Sequence, residues 1–264
     1  MTPTAAQLLA EARAKHARLA ELPESVRPQN TEEAYECQAE LMANLLAHYG
    51  GEPAGYKIAC TNAIAQRQLG VGGPFYGTLA TAHCFESPAR LDASQFFMRV
   101  VEAEFGFRMG RDLPPPIAGN KAAHSRQEIA EAVEGVIPSI EIVDSRFDDW
   151  LAIGALSLIA DNACHAAWVR GPLVKNWRSF DLAGQPVRVY VNGKLAREGS
   201  GAAVLGHPLN ALEWLVNALA ERGIGLKRGQ YVTTGVTTEV YMAERGDRAV
   251  ADFGGIGRAE VEFV

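Results

Sequence analysis

Glu102 and Glu104 stand two residues apart in the run Val100-Val101-Glu102-Ala103-Glu104-Phe105-Gly106-Phe107. The β-forming residues predict a strand from Arg99 to Phe107. Alternate residues of a strand project to one side, so both carboxylates share a face with Gly106. Val101, Ala103, Phe105 and Phe107 take the opposite face. Like charges held side by side repel. One relief is a half-exposed strand whose acidic face lies in water, as antiparallel sheets often arrange. The other is convergence of both carboxylates on a divalent cation, and an oxygen-only ligand set suits Mg2+, Mn2+ or Ca2+ better than zinc.

A third carboxylate, Glu141, is isolated in the apolar run Ile137-Pro138-Ser139-Ile140-Glu141-Ile142-Val143. Burial of an unpaired carboxylate is costly, so Glu141 needs a partner. That partner is either an Arg or Lys in a salt bridge or a metal shared with the Glu102–Glu104 pair. Three carboxylates from two strands would make a facial set with positions left for substrate and water. Lys57, in Ala54-Gly55-Tyr56-Lys57-Ile58-Ala59, is either a strand lysine reaching for solvent or a site lysine. Near such a metal, carboxylates would stabilise its ammonium while burial and the cation would depress it. It could then move protons or hold a substrate carboxylate.

The positioning elements are legible in outline. Two helices lead, the second opening at Asn30-Thr31 with Glu33 and closing at Tyr49-Gly50, with Pro23 to Pro28 as connector. From Ala54 the texture becomes glycine-rich and β-rich. A strand covers Tyr56–Cys60, a short helix Ala63–Leu69, and a loop Gly70–Tyr76. Pro114 to Asn120 breaks the chain, and Ser125 with Glu128 forms a capping box. Further strands are expected at Val136–Val143, Ala166–Arg170, Val187–Val191, Gln230–Thr234, Ala249–Phe253 and Ala259–Val264. Asn192-Gly193 marks a hairpin turn. Helices are expected near Asp149–Ile159 and at His207–Arg222, the latter stopped by Gly223. Strands and helices do not alternate regularly, which indicates an α+β fold with a mixed or mostly antiparallel sheet. We expect a helical N-terminal segment, residues 1–53, and a catalytic mixed-β part, residues 54–264, in one compact unit.

With 264 residues, 48% apolar, the chain can bury a sizeable core. Its net charge is −6 and no block of Lys or Arg stands out, so nucleic acid is not an expected partner. There is no 18-residue apolar run and no basic-then-apolar leader, so no membrane association is expected and the protein reads as cytoplasmic. Cys37, Cys60, Cys84 and Cys164 form no CxxC pair and read as free thiols. HExxH, G-x-G-x-x-G and Walker A motifs are absent, so zinc and nucleotide cofactors have no support.

The segments GYKIACTN, VEAEFGF, GRDLP, PSIEIVDSRF, ADNACHAAWVRG and DFGGIGRAEVEF resemble, in this order, those of the fumarylacetoacetate hydrolase superfamily. They are most similar to its 2-keto-4-pentenoate hydratase and 4-oxalocrotonate decarboxylase branch. The resemblance runs from about Ala54 to Val264. It implies a roll of mixed β-sheets and Mg2+ or Mn2+ held by Glu102, Glu104 and Glu141, with Lys57 as the active-site lysine. It also implies a homo-oligomer, with association with a pathway enzyme as a further option. The implied substrate is a small 2-hydroxydienoate or its 2-keto tautomer, chelated through its C1 carboxylate and C2 oxygen. Water then adds at C4, with Lys57 moving a proton, to give a 4-hydroxy-2-keto acid in aromatic breakdown.

Two features depart from the branch. QLGVGGPFYG carries Phe75 where hydratases often have an acidic residue, which keeps 2-keto acid decarboxylation open as the alternative. Cys164 and His165 stand where small polar residues are commoner. His165 could contact substrate, or it could face solvent or another subunit. Thr234 and Thr237, in TTGVTTEV, could supply donors to a substrate carboxylate or form an ordinary β-run. Arg111-Asp112 is expected to brace the proline turn. Neither His48 nor His83 has the acidic partner expected for the hydrolase branch. A non-catalytic partner subunit is the remaining alternative.

Overall fold

The computed structural model describes residues 2–115 and 124–264. Two helices open the chain, α1 (Ala5–Ala14) and α2 (Thr31–Tyr49). Thr4 and Gln7 form a capping box on α1, and the Asn30 side chain accepts from the Glu33 N–H at the start of α2. Then come β1 (Pro53–Ala59), α3 (Ala63–Leu69), β2 (Phe75–Ala80), β3 (Cys84–Glu86), β4 (Ala89–Leu91) and β5 (Val100–Met109). The Ser125–Glu128 capping box opens α4 (Arg126–Ala132), which leads into β6 (Val133–Val143). After these come α5 (Ala155–Ala160), β7 (His165–Arg170), β8 (Pro186–Val191), β9 (Lys194–Ser200) and α6 (Pro208–Glu221). Strands β10 (Tyr231–Val236), β11 (Tyr241–Met242), β12 (Arg248–Asp252) and β13 (Arg258–Phe263) complete the chain. The expected chain break from Pro116 to Asn120 lies outside the described residues.

The larger sheet has the order β2-β1-β10-β5-β6-β7-β3, with β11 beside β5. It is mixed: β1 runs parallel to β10 and β3 parallel to β7, while the other neighbours on this path are antiparallel. A five-stranded sheet, β4-β13-β12-β8-β9, supplies a second layer. Phe105 of the large sheet meets Phe253, just past β12, with ring centroids 5.0 Å apart. Val101, Ala103, Phe105 and Phe107 are all buried in the main apolar core, which also takes in Leu9, Leu41 and Leu45 of α1 and α2. The α+β expectation, with helices leading a roll of mixed sheets, holds.

Several local expectations change. The half-exposed reading of β5 fails, because both of its faces are covered: Glu104 is fully buried and Glu102 half-buried. On the face of the two carboxylates, the space beside Gly106 is filled. A Cβ there would lie 3.0 Å from Trp168 Cζ2, so glycine makes room for the indole. The stretch expected as loop up to Tyr76 gives way to β2 at Phe75. The helix expected from Asp149 begins only at Ala155, because Gly154 takes φ 87° and ends the preceding turn. The Asn192-Gly193 turn between β8 and β9 has φ of 51° and 79°, as a two-residue hairpin turn of this twist requires. Arg111 and Asp112 do brace their turn: Arg111 donates to the Glu128 carbonyl and Asp112 accepts the Arg228 N–H.

Candidate metal and lysine site

The antiparallel register of β5 and β6 sets Glu102 directly opposite Glu141 and Glu104 opposite Ser139. Directly paired residues share a face, so the three carboxylates face one side. Each can offer an oxygen such that all three oxygens lie within 4.8 Å of one another. On the far side of β5, β10 carries an extra residue: Thr233 pairs with Gly106, yet Val236 pairs with Glu104. This bulge turns the Gly235 N–H onto Glu104 Oε2 at 2.9 Å. Gly235 has φ 95°, and a Cβ there would sit 1.9 Å from Thr61 Oγ1, so only glycine can make this donation.

Lys57 comes from β1, where it pairs with Thr233. Its Nζ donates to the Ala163 carbonyl at 3.0 Å and lies 3.2 Å from Glu141 Oε1. The same Oε1 contacts His165 Nδ1 at 3.0 Å. A carboxylate only accepts, so Nδ1 carries the hydrogen and Nε2 keeps its lone pair. His165 is buried, and neither of the sequence alternatives, solvent or another subunit, describes its place.

A pattern emerges from the oxygens. Glu141 Oε1 is held by Lys57 and His165, and its Oε2 is buried without a partner. Glu104 Oε2 is held by Gly235, and its Oε1 is buried without a partner. Glu141 and Glu104 are each fixed through one oxygen and leave the other without a partner. Buried polar atoms are normally satisfied, so two orphans in one acidic cluster point to a cation as the missing partner.

The electrostatics agree. Burial pushes Glu102 up to about 7, with Lys57 opposing and Glu141 adding to the rise. Burial, then Glu141 and Glu102, hold Glu104 well above the usual carboxylate range. Burial works against the Glu141 charge too, but Lys57 and His165 outweigh it and its carboxyl falls below the usual value. Burial likewise opposes the Lys57 charge, and the three carboxylates overcome it and raise the ammonium. Burial lowers His165 despite Glu141, keeping the imidazole neutral. Burial also raises the Cys60 and Cys164 thiols to about 12, which keeps them protonated.

The remaining expected residues are near but differently engaged. Thr234 Oγ1 donates to the Phe105 carbonyl at 3.0 Å, and Thr237 Oγ1 to the Ala103 carbonyl at 2.7 Å. Both bind the bulged strand to β5. Thr233, which the sequence did not single out, has a buried hydroxyl with no partner on the face of Lys57. Trp168 lines the same face opposite Glu141, and its indole N–H is unpartnered. Phe75, opposite Ala59, is buried one turn of pleat from Lys57. Surface cavities by α1 and α2, one lined by Glu33, Cys37 and Glu40, lie away from this cluster and gather none of these groups.

Residues 87–264 match the fumarylacetoacetate (FAA) hydrolase C-terminal family, and the chain belongs to that family. The chain is 32% identical over 267 residues to a 2-keto-4-pentenoate hydratase of Paraburkholderia xenovorans (strain LB400), covering 100% of this chain and 96% of the relative. It is 33% identical over 215 residues to a 4-oxalocrotonate decarboxylase of Pseudomonas putida, covering 81% and 79%. Among solved structures, the 4-oxalocrotonate decarboxylase from Pseudomonas putida G7, complexed with magnesium and adipate, superposes with a TM-score of 0.89. That match is 27% identical and covers 98% of this chain and 96% of the other.

Proposed function

We propose that this protein is a metal-dependent lyase that adds water to 2-hydroxy-2,4-dienoates of the 2-keto-4-pentenoate type, giving 4-hydroxy-2-keto acids. The observation that carries this reading is the cluster of Glu102, Glu104 and Glu141 beside Lys57, with Glu104 Oε1 and Glu141 Oε2 left unpartnered. The full-length similarity to hydratases of that name supports it.

The donors are all oxygen, so Mg2+ or Mn2+ suits the three carboxylates. Such an ion supplies Lewis acidity toward the C1 carboxylate and C2 oxygen of a 2-keto acid. The protein's own part follows from its geometry. Glu141 is oriented by His165 and Lys57, and Glu104 by Gly235, so the ligand oxygens are set before any ion arrives. Lys57 enters as an ammonium, which makes it a proton donor to a substrate carbon and a counter-charge to the C1 carboxylate. His165 offers Nε2 as an acceptor to a substrate hydroxyl or to the water that adds. Thr234 and Thr237 have given their hydroxyl hydrogens to strand carbonyls, so they would meet substrate only through lone pairs. Thr233 is the freer hydroxyl.

A second reading, decarboxylation of a 4-oxalocrotonate-type substrate, is favoured by one observation. Phe75, which stands where the resemblance leads one to expect an acid, puts a buried apolar ring opposite Ala59, two positions along β1 from Lys57. A carboxylate on the saturated carbon next to a C=C conjugated with the C2 ketone can leave as CO2; the pair of the broken C–C bond moves through the C=C to the C2 oxygen, which takes a proton to give the 2-hydroxydienoate. Within the proposal we also include a homo-oligomer acting in the cytoplasm. Among the described residues no helix is long and apolar enough to cross a membrane.

The test is to incubate purified protein with 2-hydroxypenta-2,4-dienoate and, separately, 4-oxalocrotonate, with Mg2+ or with chelator. Metal-dependent loss of the dienol with a 4-hydroxy-2-keto product supports hydration, and CO2 release with dienol formation supports the second reading. No turnover of either substrate, or turnover unchanged by chelator and by Glu102→Ala, would sink both.

A further inference from the structure

Lys57 is held by an unusual acceptor. Ala163, whose carbonyl takes the Lys57 hydrogen bond, is the middle of three consecutive residues with left-handed backbone. Asn162, Ala163 and Cys164 have φ of 55°, 52° and 58°. L-residues adopt this region rarely, and a run of three persists only where its surroundings hold it. On one side Asn162 clamps β2: its Oδ1 accepts the Thr78 N–H at 2.7 Å and its Nδ2 donates to the Thr78 carbonyl at 2.9 Å.

The other restraint comes from the far end of the chain. Arg13, in the last turn of α1, spans the whole segment with one guanidinium. Its Nε and Nη2 donate to Asp161 Oδ1 at 3.1 and 2.7 Å, and Nη2 also reaches the Asp161 carbonyl at 3.0 Å. Its Nη1 donates to the His165 carbonyl at 3.1 Å. Asp161 and His165 are the residues immediately flanking the left-handed run, and Asp161 is itself fixed by the Arg146 N–H on Oδ2 at 2.9 Å. The guanidinium therefore staples the two ends of the arc whose middle carbonyl seats Lys57 and whose last residue bears the imidazole on Glu141. A planar fork can bridge two acceptors in this way, and a lysine ammonium cannot reproduce it.

We propose that Arg13 is a positioning residue for catalysis: by bridging Asp161 and the His165 carbonyl it fixes the left-handed segment 162–164, and through the Ala163 carbonyl and His165 it sets Lys57 and Glu141. Its effect on turnover rests on the lyase reading above, whereas its effect on segment 161–165 does not. Arg13 touches neither the carboxylate cluster nor Lys57, so it acts through the segment alone.

The experiment compares wild type with Arg13→Ala, Arg13→Lys and Leu9→Ala, the last removing a fully buried α1 side chain one turn before Arg13 that takes no part in the guanidinium's hydrogen bonds. Amide hydrogen exchange by mass spectrometry and steady-state kinetics are measured well below each variant's Tm. Exchange in residues 161–165 is expected to rise at least tenfold in Arg13→Ala, with a smaller rise in Arg13→Lys and none specific to that segment in Leu9→Ala. On turned-over substrate, kcat is expected to fall at least tenfold in Arg13→Ala with KM within about threefold, while Leu9→Ala keeps kcat within twofold at comparable loss of Tm. Unchanged exchange at 161–165 in Arg13→Ala overturns the proposal, as does an equal kcat loss in Leu9→Ala. If Arg13→Ala fails to fold, Arg13→Lys carries the same decision. If wild type turns over no dienoate or 2-keto acid, the lyase reading fails, and the exchange result alone decides the role of Arg13.

Discussion

Two buried charge clusters meet at residues 161–165. In the first, Arg13 pairs with Asp161 and Arg146 with Asp144, one cation to each carboxylate. Every oxygen of those two carboxylates has a donor: Arg13 and the Arg146 N–H on Asp161, and Arg146 with the Phe97 and Met98 N–H groups on Asp144. In the second, three carboxyl groups face a single ammonium, two more than it can match when ionised, and two buried oxygens have no donor. Asp161, Asp144, Glu104 and Glu141 are all buried. The carboxylates of the first cluster are neutralised and satisfied within the chain, and a carboxylate cluster that departs from this rule implies a cation supplied from outside. The contrast separates the carboxylate that anchors segment 161–165 from those that would hold a cation.

Several substitutions would break or sharpen that contrast. The largest effect is expected at the unmatched cluster: Lys57→Met should lower kcat by about 10²–10⁴-fold, the usual worth of a positioned acid or base. It should leave Mg2+ affinity undiminished, because it removes a competing positive charge, and calorimetric titration checks this. Next come two parallel carboxamide substitutions read by thermal melts without metal. Asp161→Asn leaves the Arg13 charge poorly matched and should cost about 3–5 kcal/mol. Glu104→Gln removes a repelled carboxylate and should instead raise the metal-free Tm. Equal signs for the two would dissolve the distinction.

The pH dependence should differ in the same sense. The folded, metal-free chain favours protonated Glu102 and Glu104, with Glu102 at about 7 against an ordinary 4.5. The stability this contributes is complete below the unfolded carboxylate range and is lost as pH rises through about 7. A cation competes with those protons, so the rise in Tm on adding Mg2+ should be small near pH 5.5 and large near pH 8. A flat or inverted profile would contradict it. The smallest effect is expected at Gly106→Ala, where the new methyl meets Trp168 and should cost about 1–3 kcal/mol in urea melts.

The sequence reveals the elements whose signals are local. Asn192-Gly193, the Ser125–Glu128 box and the apolar stripe of α6 rest on neighbours within a few residues, and each forms where expected. Glu102, Glu104 and Glu141 were visible because charge interrupts an apolar β-run. What escaped depends on distant partners. The alternation in β5 implied one wet face, but α+β packing covers both, and no local pattern reports that. The reason for Gly106 is Trp168, two strands away. The burial of His165 depends on Glu141, and the staple by Arg13 closes across 148 residues on a helix that reads as merely amphipathic. Thr233 carries the free hydroxyl because its pairing with Lys57 and Gly106 sets it on the site's face, whereas Thr234, in the bulge that follows, donates to the Phe105 carbonyl.

The most direct measurement is calorimetric titration of Mn2+ into chelator-treated wild-type protein and into Glu104→Gln and Glu141→Gln. One site per chain is expected in wild type, with proton release that grows as pH falls toward 7 and affinity weakened at least tenfold in either variant. Absence of binding at millimolar Mn2+, or binding unaffected by both substitutions, would contradict the assignment of the unmatched carboxylates as a metal clamp.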